Sequence, residues 1–76
     1  MPYIAIKAYP KDKEIQKRVA QRIQQVFLEE WGCPSQAISI SMESVDPALW
    51  NEQVVKEEME PNRDKMLIWC GEQQDQ

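Results

Sequence analysis

The chain has 76 residues, of which 42% are hydrophobic and 29% charged, and its formal net charge is −4. This length limits the chain to one small domain, predicted over residues 1–76 with a polar tail at about 72–76. The composition is typical of a globular protein, and an acidic balance without a block of lysine or arginine excludes the usual nucleic-acid and anionic-membrane binders.

Histidine is absent, and there are two cysteines. Without histidine, Ser-His-Asp and Cys-His catalysis and the usual zinc sites are excluded. Cys33 and Cys70 form no CxxC motif, and we expect buried or half-buried free thiols. No apolar run approaches a membrane span of roughly 18 residues, and no signal peptide is recognisable, which predicts a cytoplasmic protein.

A β-strand is predicted over residues 2–9, because Ile4, Ile6 and Ala8 alternate with residues of the opposite face. Pro10 ends the strand, since proline cannot donate to a ladder of hydrogen bonds.

A helix of about 19 residues is predicted next, with Asp12 as its N-cap. Gly32 is a natural stop signal, and Pro34 cannot continue the helix. Apolar residues recur at helical spacing along one stripe: Ile15, Val19, Ile23, Val26, Phe27 and Trp31.

A second strand is predicted over residues 37–43, in which Ile38, Ile40 and Met42 alternate with Ser39 and Ser41.

The remaining chain is predicted to contain one more helix. Asp46 followed by Pro47 is typical of a helix start, and we expect the helix to span residues 47–59 and to stop at Pro61. The apolar run at 66–70 is interpreted as a strand or extended segment.

This order of elements predicts an α+β fold built on a β-α-β unit. A crossover of this length is typical of parallel strands. Because parallel sheets are normally covered on both faces, two strands under one helix need a partner. We expect a homodimer with a four-stranded sheet and its helices on one face.

Pro2 is the candidate for chemistry. If Met1 is removed, as is usual before proline, a secondary amine stands at the start of a strand. A free α-amino group titrates near 8, and desolvation lowers that value, so the amine is a base at neutral pH. Such a base moves protons next to a carbonyl without histidine. The alternative is that Met-Pro is only a start sequence and has no chemical role. If Pro2 is considered without the rest of the sequence, this alternative is favoured.

Several features occur together in one order: the Pro2-initiated strand, the long amphipathic helix, Gly32-Cys33-Pro34, the second strand and Asp46-Pro47-Ala48-Leu49-Trp50. This combined pattern resembles the 4-oxalocrotonate tautomerase family. The last segment is most similar to the PptA-like branch, and the resemblance covers residues 2 to about 60. It implies a βαβ fold, a catalytic Pro2 that acts as general base, and a dimer.

The resemblance also implies substrate-binding residues. Trp50 falls where the family has an aromatic residue that lines the pocket. The two arginines that bind a dicarboxylate in the founding enzymes correspond to Asp12 and Ser39, so a dicarboxylate should bind poorly. Ser39 and Lys11 are further candidates for substrate contact; a solvent or dimer-interface position for Ser39 and a solubilising role for Lys11 are the alternatives.

These observations predict a keto–enol tautomerase for a small enol or 2-keto acid that is aromatic or monocarboxylate, of the phenylenolpyruvate type. Pro2 would be catalytic, and no metal or cofactor would be needed. The alternative is a non-catalytic βαβ dimer that binds a small ligand or a protein partner. The missing arginines favour that alternative.

Overall fold

A computed structural model describes residues 1–74. The chain forms two compact units, Met1–Val45 and Asp46–Gln76. Because the chain divides into two units, the prediction that residues 1–76 form a single domain stays a prediction. Within the described residues, no helix has the length and apolar character needed to cross a membrane.

The first unit is a β-α-β unit. Strand β1 (Tyr3–Ala8) is followed by helix α1 (Lys13–Val26) and strand β2 (Ser39–Ser44). The two strands pair in parallel, with Tyr3 opposite Ser39 and Ala8 opposite Ser44. This confirms the α+β class and the parallel pairing that the sequence predicts.

The two faces of this sheet differ in burial. The half-buried residues of the strands are Ile4, Ile6, Ala8, Ile40 and Met42, and the exposed ones include Tyr3, Ala5, Lys7, Ser39, Ser41 and Glu43. Successive residues of a strand point to opposite faces, and α1 packs against β2, so the half-buried face lies under the helix. The predicted alternation is confirmed in both strands.

Helix α1 begins and ends where the sequence predicts. The Asp12 Oδ1 atom accepts a hydrogen bond from the backbone N–H of Ile15 at 2.9 Å, which satisfies one of the free amides of the first turn. The 14 residues of α1 continue as five π-helical residues, Phe27–Trp31, so the helix has the predicted length. Gly32 then adopts the left-handed conformation, with φ 69°, which glycine takes without strain.

The core of the first unit is thin. Val45 is its only buried hydrophobic residue. Ile15 and Val19 of the apolar stripe remain 36% and 40% exposed. The stripe on α1 is therefore covered only in part by the sheet.

The second unit begins with helix α2 (Pro47–Trp50). The Asp46 side chain accepts a hydrogen bond from the backbone N–H of Ala48 at 2.9 Å, as expected of an N-cap. The helix continues in π-helical form through Asn51–Met59. Together these segments match the prediction of a helix over residues 47–59.

The prediction that Pro61 stops this helix is wrong. A 3₁₀ segment, Glu60–Lys65, continues directly from Met59 and contains Pro61 near its start. Proline is tolerated there because the first N–H groups of a helical segment have no partner within it. Asn62 departs from helical geometry, with φ −107° and ψ 15°, so the chain bends one residue after the proline.

The second unit ends in a short hairpin. Strands β3 (Ile68–Trp69) and β4 (Glu72–Gln73) pair antiparallel around Cys70 and Gly71. Both turn residues have positive φ, 48° and 87°, as in a type I′ turn. The extended segment predicted at 66–70 is thus confirmed at Ile68–Trp69. Of the predicted polar tail at 72–76, the first two residues form β4, and positions 75 and 76 lie outside the described residues.

The two cysteines are free thiols, as predicted. Cys33 is half-buried, with its Sγ atom 3.9 Å from the Phe27 carbonyl oxygen. Cys70 is exposed rather than buried, because it occupies the hairpin turn.

Candidate functional site

Pro2 lies directly before β1 and is half-buried. Its carbonyl oxygen accepts a hydrogen bond from the backbone N–H of Ser39, with an N···O distance of 3.2 Å. The bond extends the parallel ladder by one residue beyond Tyr3. Pro2 also continues the half-buried positions of Ile4 and Ile6, which places it on the side of the sheet that faces α1.

Ser39 meets Pro2 through the backbone only. Ser39 is the first residue of β2, and its side chain is exposed on the face away from α1. Its N–H is the group that binds Pro2. The structure therefore brings these two candidates together, with Ser39 in a positioning role for the Pro2 backbone.

Lys11 lies at the opposite end of β1 from Pro2. It is an exposed residue of the loop between β1 and α1. The six residues of β1 span roughly 20 Å at about 3.3 Å per residue. Within one chain, Lys11 and Pro2 are therefore at different ends of the sheet. The two residues could contact the same substrate only if they came from different chains.

Trp50 belongs to the second unit, where it is the half-buried last residue of α2. Pro2 belongs to the first unit. The role of Trp50 in lining a pocket for the Pro2 amine stays a prediction.

Asp12, at one of the two positions where the resembling family has an arginine, has a structural role. Its carboxylate caps α1 through the Ile15 N–H. An acidic N-cap cannot bind a substrate carboxylate.

A shallow, open cavity of about 200 Å³ lies between α1 and the start of β2, and Pro2 is not among its lining residues. Its walls come from α1 and the start of β2: Ala20, Gln21, Gln24, Ile38 and Ile40. Ile38 directly precedes Ser39, which binds the Pro2 carbonyl. The two glutamine amides can both donate and accept hydrogen bonds. This cavity suits a ligand with an apolar body and a small polar group.

A second cavity, of about 170 Å³, lies at the other end of the sheet, between α1 and the ends of both strands. It is lined by Ile6, Ala8, Tyr9, Lys11, Ile15, Gln16, Val19, Met42 and Ser44. Sequence reasoning missed it. The available signal was Ala8, the small residue that follows Ile4 and Ile6 on the face toward α1.

Metal-binding residues do not cluster in the part of the chain that the structure describes. Over residues 1–74, no group of three or more cysteine, aspartate and glutamate side chains is placed to hold a metal ion. In comparisons with known proteins, no family model matches the chain and no curated protein matches it.

Proposed function

We propose that this protein is a keto–enol tautomerase of the 4-oxalocrotonate tautomerase type, in which Pro2 is the general base once Met1 is removed. One observation carries the proposal: a half-buried proline precedes the first strand of a parallel β-α-β unit and is joined to the second strand by the Ser39 N–H. An amine held against a sheet keeps a fixed direction toward a substrate, which is what a positioned base requires.

The proposed reaction needs one group that both accepts and donates a proton. The neutral Pro2 amine takes the proton of the enol hydroxyl, and the O–H electrons become the second bond of the carbonyl. The electrons of the carbon–carbon double bond form a new C–H bond with the proton that the ammonium returns. The amine ends neutral, so no cofactor or net proton is consumed.

Removal of Met1 is a requirement of this mechanism. With Met1 attached, the Pro2 nitrogen is an amide and has no basic electron pair. Met1 is 99% exposed, so an aminopeptidase can reach its bond to Pro2. A cytoplasmic location, where such enzymes act on new chains, is part of the proposal.

The substrate we propose is an aromatic or monocarboxylate enol such as phenylenolpyruvate. Asp12 caps a helix, and Ser39 is exposed on the far face of the sheet, so neither replaces an arginine that would bind a second carboxylate. The cavity beside Ile38, lined by three apolar side chains and two glutamines, has room for a ring and one polar group.

The rate of phenylenolpyruvate ketonisation tests the proposal. We expect protein whose mass confirms the loss of Met1 to exceed the buffer rate between pH 5 and 9. The rate should rise with a single ionisation, because only the neutral amine can accept a proton. A rate equal to buffer at every pH, from folded protein with a free Pro2, would refute the tautomerase.

A homodimer with a four-stranded sheet is part of the same proposal. Val45 is the only buried hydrophobic residue of the first unit, and its two-stranded sheet has an unpaired edge on each strand. Pairing one edge of each copy across a twofold axis gives a four-stranded sheet and removes one unpaired edge per chain. We expect light scattering at micromolar concentration to give twice the chain mass of 9.0 kDa. A mass of one chain under these conditions would exclude the dimer.

The second candidate is a non-catalytic βαβ dimer that binds a small ligand. The substitution of Asp12 and Ser39 for the two arginines favours it, because a scaffold that has lost its chemistry has no need of them. A folded dimer with free Pro2 and no ketonisation would support this candidate.

A further inference from the structure

Within one chain, the cavity between α1 and the far ends of β1 and β2 does not reach Pro2. Ala8 and Ser44, the last residues of the two strands, lie in its wall. Pro2 lies at the other end of β1, roughly 20 Å away by the rise of a strand. Any ligand of this cavity is therefore separate from the proposed catalytic site within the same chain.

The wall of this cavity is apolar inside and polar only at the rim. Five apolar side chains form most of it: Ile6, Ala8, Ile15, Val19 and Met42. At the rim, the Gln16 Nε2 atom donates to the Lys11 carbonyl oxygen at 2.9 Å and to the Ser44 hydroxyl at 3.3 Å. The Gln16 amide is thus engaged with the protein. It ties the first turn of α1 to the loop before it and to the end of β2.

The wall of this cavity contains one charged side chain. Lys11 is the only charged residue among the lining residues, and it is exposed. An anionic ligand would lose its hydration without a buried partner to replace it. The inner part of the wall therefore suits an uncharged group.

We propose that this cavity is a binding site for a small uncharged apolar group, such as a single aromatic ring or the end of a branched aliphatic chain. Its volume of about 170 Å³ is comparable with that of an apolar cavity of roughly 150 Å³ that binds benzene. Ile15 and Val19, which line it, are 36% and 40% exposed, so a ligand there removes apolar surface from water.

Toluene is the probe that tests the site. In methyl-detected NMR of the full chain, we expect toluene to shift the methyl signals of Ile6, Ile15 and Val19 to saturation. Benzoate has the same ring with a carboxylate, and we expect no saturable shift of these signals with it. Pro2→Ala should leave toluene binding unchanged, which separates this site from the proposed catalytic one.

Two substitutions in the same strand give a matched comparison. Ala8→Ile fills the cavity and should weaken toluene binding at least tenfold. Ala5→Ile adds the same atoms on the exposed face of β1 and should leave toluene binding within twofold. Thermal unfolding followed by circular dichroism verifies that both variants are folded. If Ala8→Ile does not fold, Val19→Phe replaces it as the cavity-filling variant. Val26→Phe is then the control, because Val26 is exposed and lies outside the cavity.

Three results would overturn the proposal. The first is the absence of saturable shifts in folded protein. The second is toluene binding that survives in the folded cavity-filling variant, because the ligand would then lie elsewhere. The third is benzoate binding as tight as that of toluene, because the site would then select an anion.

Discussion

We expect Pro2→Ala to lower kcat/KM for phenylenolpyruvate ketonisation by about 10²-fold or more, the range that a positioned general base contributes. The alanine variant still has a terminal amine after removal of Met1, but that amine rotates freely about its bond to the α-carbon. The proline ring holds the nitrogen in one direction, and the Ser39 N–H holds the Pro2 carbonyl. Steady-state kinetics on protein of confirmed mass measure the difference.

Pro10→Ala is the matched control for this substitution. Pro10 is exposed and lies after the other end of β1, so its loss should leave the rate within about twofold of the parent protein. A second comparison uses protein that retains Met1, which should have the buffer rate because its Pro2 nitrogen is an amide. Full activity of the form with Met1 would show that the amine is not the base, and full activity of Pro2→Ala would show that the proline ring is not required.

We expect Ile6→Asp to remove most of the free energy of unfolding of the protein at 25 °C. Ile6 is half-buried under α1, and it lies opposite Met42 in the parallel ladder. A carboxylate at this position would face apolar side chains with no partner, at a cost of about 3 kcal/mol or more. A small domain of this size has a total stability of about 3–5 kcal/mol, so that cost removes most of it. Urea unfolding monitored by circular dichroism gives the change.

Ser41→Asp places the same carboxylate on the opposite face of the sheet. Ser41 is exposed in the middle of β2, so its replacement should change the free energy of unfolding by no more than about 0.5 kcal/mol. If Ile6→Asp unfolds at the same urea concentration as Ser41→Asp, the face under α1 is not the core of the first unit.

Much of the first unit could be predicted because local signals agree with its packing. Alternation in each strand reports which residues face α1, and the apolar stripe reports the helix. Asp12 and Gly32 mark the ends of the helix through a side-chain cap and a left-handed conformation, both of which depend only on neighbouring residues.

The features that sequence reasoning missed depend on context. Pro61 reads as a helix stop, yet a proline at the start of a 3₁₀ segment loses no hydrogen bond. Cys70 adopts a positive φ in the hairpin turn, which no common preference of cysteine indicates.

The candidate site was harder to predict than the fold. The position of Pro2 beside β2 follows from the pairing of the strands. The predicted strand over residues 2–9 also places Lys11 at the opposite end from Pro2, but it does not show that Lys11 lies in the wall of a separate cavity. Ala8 is the smallest side chain in the wall of that cavity, and a gap in packing appears only when the facing residues are placed.

The parallel register of β1 and β2 also has a consequence for folding kinetics. Every paired residue of the ladder, from Tyr3 with Ser39 to Ala8 with Ser44, is 36 positions from its partner. The entropy of closing that long loop is lost before any ladder hydrogen bond forms. The hairpin of the second unit joins Trp69 to Glu72 across two turn residues and closes locally. The two-stranded sheet therefore forms through non-local contacts, which form more slowly than local ones. The position of Pro2 beside β2 depends on the same contacts.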